Sequence, residues 1–142
     1  MFDYALRLGN QLAGRRPSVS KYLVRAAAWL EIITGIALII GPQIACQLLF
    51  AAPLDGVGVP LGRYAGIAVL ALGAACLPAT TAQARRAVLG LFIYNVAAVI
   101  LFVWIWIATT FNGFLLWPAA ILHAGIAAGL LSQLRNDGSV LA

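Results

Sequence analysis

The chain is predicted to be an all-α integral membrane protein, a four-helix bundle with residues 1–142 forming one transmembrane domain. Composition is the first reason. Hydrophobic residues make up 63% of the chain, charged residues 9%, and the mean hydropathy is +0.99, whereas a soluble domain carries about 25% charged residues. The second is length: the chain holds four apolar stretches of roughly 20 residues, enough at 1.5 Å per residue to cross a ~30 Å hydrocarbon core. The third is the placement of charge. Arg7, Arg15, Arg16, Lys21 and Arg25 precede the first stretch, Arg85 and Arg86 lie between the second and third, and Arg135 follows the fourth. Only Arg63 falls at the opposite end. Short cytoplasmic segments collect Lys and Arg in this way, so both termini are expected in the cytoplasm. The net charge of +5 is then topological, with some attraction to anionic lipid, and no nucleic-acid partner is expected.

The elements follow in order. Phe2, Ala5, Leu6, Gly9, Leu12 and Ala13 fall at helical spacing, which predicts a short interfacial amphipathic helix within residues 1–17. Gly14-Arg15-Arg16-Pro17 breaks it, and Ser18 or Ser20 can cap the next helix. The first span is expected at about residues 22–41, ending at Gly41-Pro42. It is read as retained: Glu31 interrupts its apolar run, and Gln43 does not suit a lipoprotein cleavage box. The long connection from Pro42 to Pro60 carries an apolar segment, Ile44–Ala51, too short to cross and therefore expected at the outer interface. The second span is expected at about 59–78, with Gly62, Gly66 and Gly73 on one face for close helix approach. Thr80–Arg86 reads as a basic cytoplasmic turn. The third span is expected at about 87–108, Thr109–Gly113 as an outer turn, and the fourth span at about 114–133, with Pro118 tolerated in its first turns. Trp104, Trp106 and Trp117 flank that outer turn as an aromatic belt.

A few polar residues stand inside this apolar frame. Counted from the span ends, Glu31 lies ~15 Å from the outer boundary, Asn95 ~12 Å from the inner one and His123 ~14 Å from the outer one. All three fall near the midplane, with Tyr94 at the same depth. Arg63 is shallower and is expected to reach toward Glu31. A charged side chain at that depth is unfavourable by roughly 2.5–3.5 kcal/mol on insertion scales, so Glu31 requires an answering group. The expected polar core is Glu31, Arg63, Tyr94, Asn95 and His123, either an internally satisfied network that holds one packing or a site for a small or lipophilic ligand. Ala27, Ala28, Thr34 and Gly35 surround Glu31 at helical spacing, a face suited to close packing. Gly125 and Gly129 lie on the opposite side of the fourth span from His123, and would be free for another helix, as would the Gly62, Gly66 and Gly73 face.

No catalytic or metal site is expected. Cys46 and Cys76 have no C-x-x-C or metal-ligand spacing and read as small apolar filler. One histidine cannot supply a bis-histidine haem, though a single-ligand haem shared with another subunit stays open. Nothing matches a nucleophile–base triad, a phosphate-binding loop or a dinucleotide fingerprint.

The segment Leu30-Glu31-Ile32-Ile33-Thr34-Gly35, the Gly62-Arg63 opening of the second span and the short four-span layout resemble small bacterial DoxX-like membrane proteins. The resemblance implies a multi-pass protein of the bacterial inner membrane, sometimes attached to a redox or quinone-linked system, and carries over no catalytic residue. The chain is also similar to small multidrug resistance transporters, which have four short helices and a membrane-embedded Glu in the first. Glu31 with Trp29 nearby fits them. The charge asymmetry, the long outer connection and an expected Arg63–Glu31 contact oppose them. A third class is the structural subunit of a larger membrane assembly. The expectation is a binding or accessory protein rather than an enzyme, with quinone or lipid as its ligand, and with the bilayer, a second copy or a larger complex as partner.

Overall fold

The computed structural model describes residues 19–77 and 81–138, and every described element is helical. The interfacial helix expected within residues 1–17 lies outside the described residues. Five helices follow one another: α1 (Val19–Ile40), α2 (Pro42–Phe50), α3 (Gly58–Cys76), α4 (Thr81–Ala108) and α5 (Leu116–Gly138). Four of them, α1, α3, α4 and α5, are long and apolar enough to cross a membrane. Ile33, Ile40, Ile67, Ile93, Ile100, Ile107 and Ile121 are all exposed on their surfaces, the signature of helices whose outer solvent is lipid rather than water. The molecule is a multi-pass membrane protein.

The helix boundaries match the expected spans to within a few residues, with one correction. Thr81–Arg86 is the first part of α4 rather than a turn. The segment TAQARR contains only one β-branched residue and no Gly or Pro, and Ala, Gln and Arg are good helix formers, so the helix starts before the apolar run begins. α2 is the apolar segment between the first two spans, folded as a helix of nine residues. Pro42 occupies its first turn, where a missing N–H removes no bond, and Ala51 closes it in a left-handed conformation with φ 51°.

The terminal carbonyls of α2, which a helix leaves without internal partners, are taken up by the turn between α4 and α5. Gly113 N–H donates to Leu49 O at 3.1 Å and Leu115 N–H to Leu48 O at 2.9 Å. A Cβ at position 113 would run into the Leu48 and Leu49 backbone, so only glycine permits this contact. α2 is thereby fixed to the end of α4 and the start of α5. Trp106 and Trp117, on either side of that turn in sequence, meet edge to face with ring centroids 5.2 Å apart.

The spanning helices pack chiefly as two pairs, α1 with α3 and α4 with α5. The α1–α3 contact runs backbone to backbone. A Cβ on Gly35 would lie 2.6 Å from Leu70 N, one on Gly66 2.8 Å from Gly35 O, and one on Gly73 2.6 Å from Ala28 O. Small residues are therefore required along this seam, as the spacing predicts. Because rising numbers on α1 meet falling numbers on α3, the two helices are antiparallel. The Gly62, Gly66 and Gly73 face is thus filled from within the chain: Gly62 meets Pro42, and the other two meet α1. Gly125 and Gly129 differ in their surroundings. Gly129 packs against Leu23, and Gly125 opens onto empty space.

The apolar core lies toward the basic ends of the spans. Val24, Ala27, Ala28, Cys76, Val88, Leu91, Ile126 and Leu130 form one buried cluster drawn from all four long helices. Directly outward of it sit the polar residues.

Candidate functional site

Three polar side chains are buried among the described residues: Glu31 and Asn95, both 0% exposed, and His123, 9% exposed. They come from α1, α4 and α5, and the packing of each helix decides where they point. On α1, Glu31 follows the buried Ala27 and Ala28 at helical spacing, so the face that contacts α3 also carries the carboxyl inward. On α4, Asn95 lies four residues beyond the fully buried Leu91, one turn along the same face. On α5, Leu116, Ala120, His123, Ala127 and Leu130 are buried in turn, a stripe at three- and four-residue spacing with the imidazole at its centre.

The α4 and α5 residues are joined directly. Asn95 Nδ2 donates to the Leu91 carbonyl at 2.8 Å, which leaves Oδ1 facing His123 Nδ1 at 2.7 Å. An amide oxygen only accepts, so His123 carries its proton on Nδ1, and the neutral ring presents its lone pair at Nε2. Two aromatic rings hold the imidazole in place. Tyr94 meets it edge-on with centroids 5.9 Å apart, and Phe102 lies 5.8 Å away on the outer side. Phe102 in turn contacts Phe50 of α2 at 6.4 Å. A row of rings thus links the polar site to the short helix α2.

Glu31 is different. Neither carboxyl oxygen has a hydrogen-bond partner among the described residues. The Tyr94 side chain lies close enough to interact with the carboxyl, yet no donor reaches either oxygen in hydrogen-bonding geometry. Tyr94 therefore adjoins both Glu31 and His123. Cys76 of α3 belongs to the apolar cluster beside this site. Its thiol is buried and directed at the Ala87 carbonyl, 3.9 Å away.

Arg63 does not join this site. It is exposed in the first turns of α3, and the glycine seam explains why. Gly66 is packed on Leu38, two turns outward of Glu31, and Arg63 lies almost a turn further out, roughly 15 Å from Glu31 along the helix axis. The expected Arg63–Glu31 contact is not made, and among the described residues no cation pairs with the carboxyl.

Phe102 was not singled out from the sequence, though it carried a signal, and Cys76, read there as small apolar filler, lies in the buried apolar cluster. Phe102 is seven residues from Asn95, hence on the same helical face. Cys76 is three residues from Gly73, on the face that packs against α1. Among the described residues no three His, Cys, Asp or Glu side chains come together as metal ligands. Set against family models, curated proteins and solved structures of known proteins, the chain matches none.

Chemically, the site offers a buried carboxyl in Glu31 with the Tyr94 phenol close by, and an imidazole whose Nδ1 is engaged and whose Nε2 can accept. A carboxyl kept from water without a partner is unfavourable whether charged or neutral, and far more so when charged. The unanswered group is met by a proton, or by a molecule that brings a donor of its own.

Proposed function

We propose that the chain is a small four-helix bundle of the bacterial inner membrane, termini in the cytoplasm, that binds a lipophilic ligand at mid-depth between Glu31, Tyr94, Asn95 and His123. The ligand carries at least one hydroxyl or N–H that donates to Glu31. A quinol meets this description: one hydroxyl would donate to the carboxyl, and the aromatic row formed by Tyr94, His123 and Phe102 would flank its ring. The protein acts as a binding or accessory subunit of a quinone-linked membrane system, in keeping with its resemblance to DoxX-like proteins. The observation that carries this reading is the Glu31 carboxyl, 0% exposed and with no hydrogen-bond partner for either oxygen among the described residues.

One observation favours a second reading, proton-coupled transport of the small multidrug resistance kind. Such transport needs a titrating carboxylate that no fixed cation neutralises, and Arg63 is exposed, far along the axis from Glu31. The charge asymmetry of the chain still favours a single orientation and the binding reading.

Native mass spectrometry of the protein, gently extracted with its lipids and small molecules, tests the proposal. A discrete ligand is expected on the wild type, retained by Glu31→Asp and lost from Glu31→Gln. Equal retention by the two variants would remove Glu31 from the site. No bound ligand, together with proton release on addition of a lipophilic cation, would favour transport instead.

A further inference from the structure

The two arginines at the start of α4 open onto a groove that the mid-depth site does not use. This groove of about 250 Å³ is lined by Arg85, Arg86, Leu89 and Leu134. Leu89 lies four residues after Arg85 and three after Arg86, so all three share one side of α4. Leu134 closes the groove from the last turns of α5, which packs along α4. Both arginines are exposed, and Leu89 is 47% exposed. Cationic heads thus sit above an apolar floor, at the level where the apolar spans Arg85–Ala108 and Leu116–Arg135 begin and end.

We propose that this groove is a binding site for one anionic phospholipid, its phosphate held by Arg85 and Arg86 and the start of an acyl chain laid over Leu89 and Leu134. Charge complementarity selects the headgroup, since guanidinium groups pair with phosphate oxygens through paired N–H donors. The leucine floor selects a lipid over a soluble anion, because a free phosphate gains nothing from apolar contact. Basic pockets between spanning helices at a membrane surface are suited to such headgroups. Arg63 offers a comparison within the same chain: it too is exposed, but outside the groove.

The experiment uses the whole protein, delipidated in a mild detergent and titrated with dioleoyl phosphatidylglycerol or dioleoyl phosphatidylcholine, with bound lipid counted by native mass spectrometry. One phosphatidylglycerol is expected to bind in preference to phosphatidylcholine. The double variant Arg85→Gln/Arg86→Gln should lose roughly 30-fold in that binding, the order expected for two basic residues at an anionic surface. Arg63→Gln should change it less than about twofold, since surface charge away from the groove acts only through a screened field. Leu89→Ser should weaken lipid binding without altering any retention of inorganic phosphate. Equal binding of the two lipids overturns the proposal. So does an equal loss in Arg63→Gln, which would reduce the effect to net charge, or displacement of the lipid by millimolar inorganic phosphate.

Discussion

The α1–α3 and α4–α5 pairs solve one problem in different ways. Within a bilayer, water exclusion does not drive helices together, so packing and hydrogen bonds between them must do so. The α1–α3 seam relies on shape: Gly35, Gly66 and Gly73 let the backbones come within direct contact, and no side-chain hydrogen bond is needed. The α4–α5 contact relies on chemistry: Asn95 and His123 share a 2.7 Å hydrogen bond flanked by Tyr94 and Phe102. A glycine seam tolerates no added atom but demands no particular polar partner. A polar clasp tolerates small shifts but leaves buried groups orphaned when either half is removed. Glu31 lies where the two kinds of contact meet, on the shape-built pair yet facing the chemistry-built one.

The strongest way to break the comparison is to place a side chain in the glycine seam. Gly66→Val should destabilise the fold by about 3 kcal/mol, at the upper end of overpacking effects, because its Cβ would meet Gly35 O, Leu38 Cβ and Ile39 N at 2.8–2.9 Å. Two of those atoms are backbone and cannot turn aside. Equilibrium unfolding in mixed detergent micelles measures it, and a loss below 1 kcal/mol would show that the helices separate without harm.

A smaller effect is expected on the other pair. Asn95→Leu should lower stability by about 1–2 kcal/mol, as both the His123 donor and the Leu91 carbonyl lose a partner. A double-mutant cycle with His123→Phe then isolates the bond, with an expected coupling of about 0.6–1.7 kcal/mol, the range for hydrogen bonds between membrane helices. Zero coupling would mean that the rings rather than the hydrogen bond hold α4 to α5.

The smallest effect sharpens the contrast among glycines. Gly125→Ala should change stability by less than about 0.5 kcal/mol, with helix propensity favouring alanine, since nothing lies within 4 Å of its new methyl. If size-exclusion chromatography with light scattering showed self-association that this variant abolished, the open face would be a subunit contact.

Much of this was legible in the chain itself. Apolar runs such as Tyr22–Gly41 dictate their own helices, because a backbone in hydrocarbon must satisfy its hydrogen bonds internally. The mid-depth position of Glu31, Asn95 and His123 follows from counting along those runs. The glycine spacing on α3 announced a close contact, though not with which helix. Thr81–Arg86 was harder to read, since its charge suggested a turn while its propensity favoured the helix it joins.

What the sequence by itself determined, then, is what depends on one helix at a time: the apolar runs that make the spans, the depth of each polar residue and the face on which it lies. The tertiary structure alone decided which faces meet. It set the α1–α3 register, which carries Arg63 about 15 Å from Glu31 and leaves the carboxyl without its expected cation. It also joined Asn95 to His123 and ran the row of rings out to Phe50. The physical reason is that periodicity fixes direction around one axis and distance along it, whereas pairing across helices depends on how closely two backbones approach, and that is set by every contact along their length.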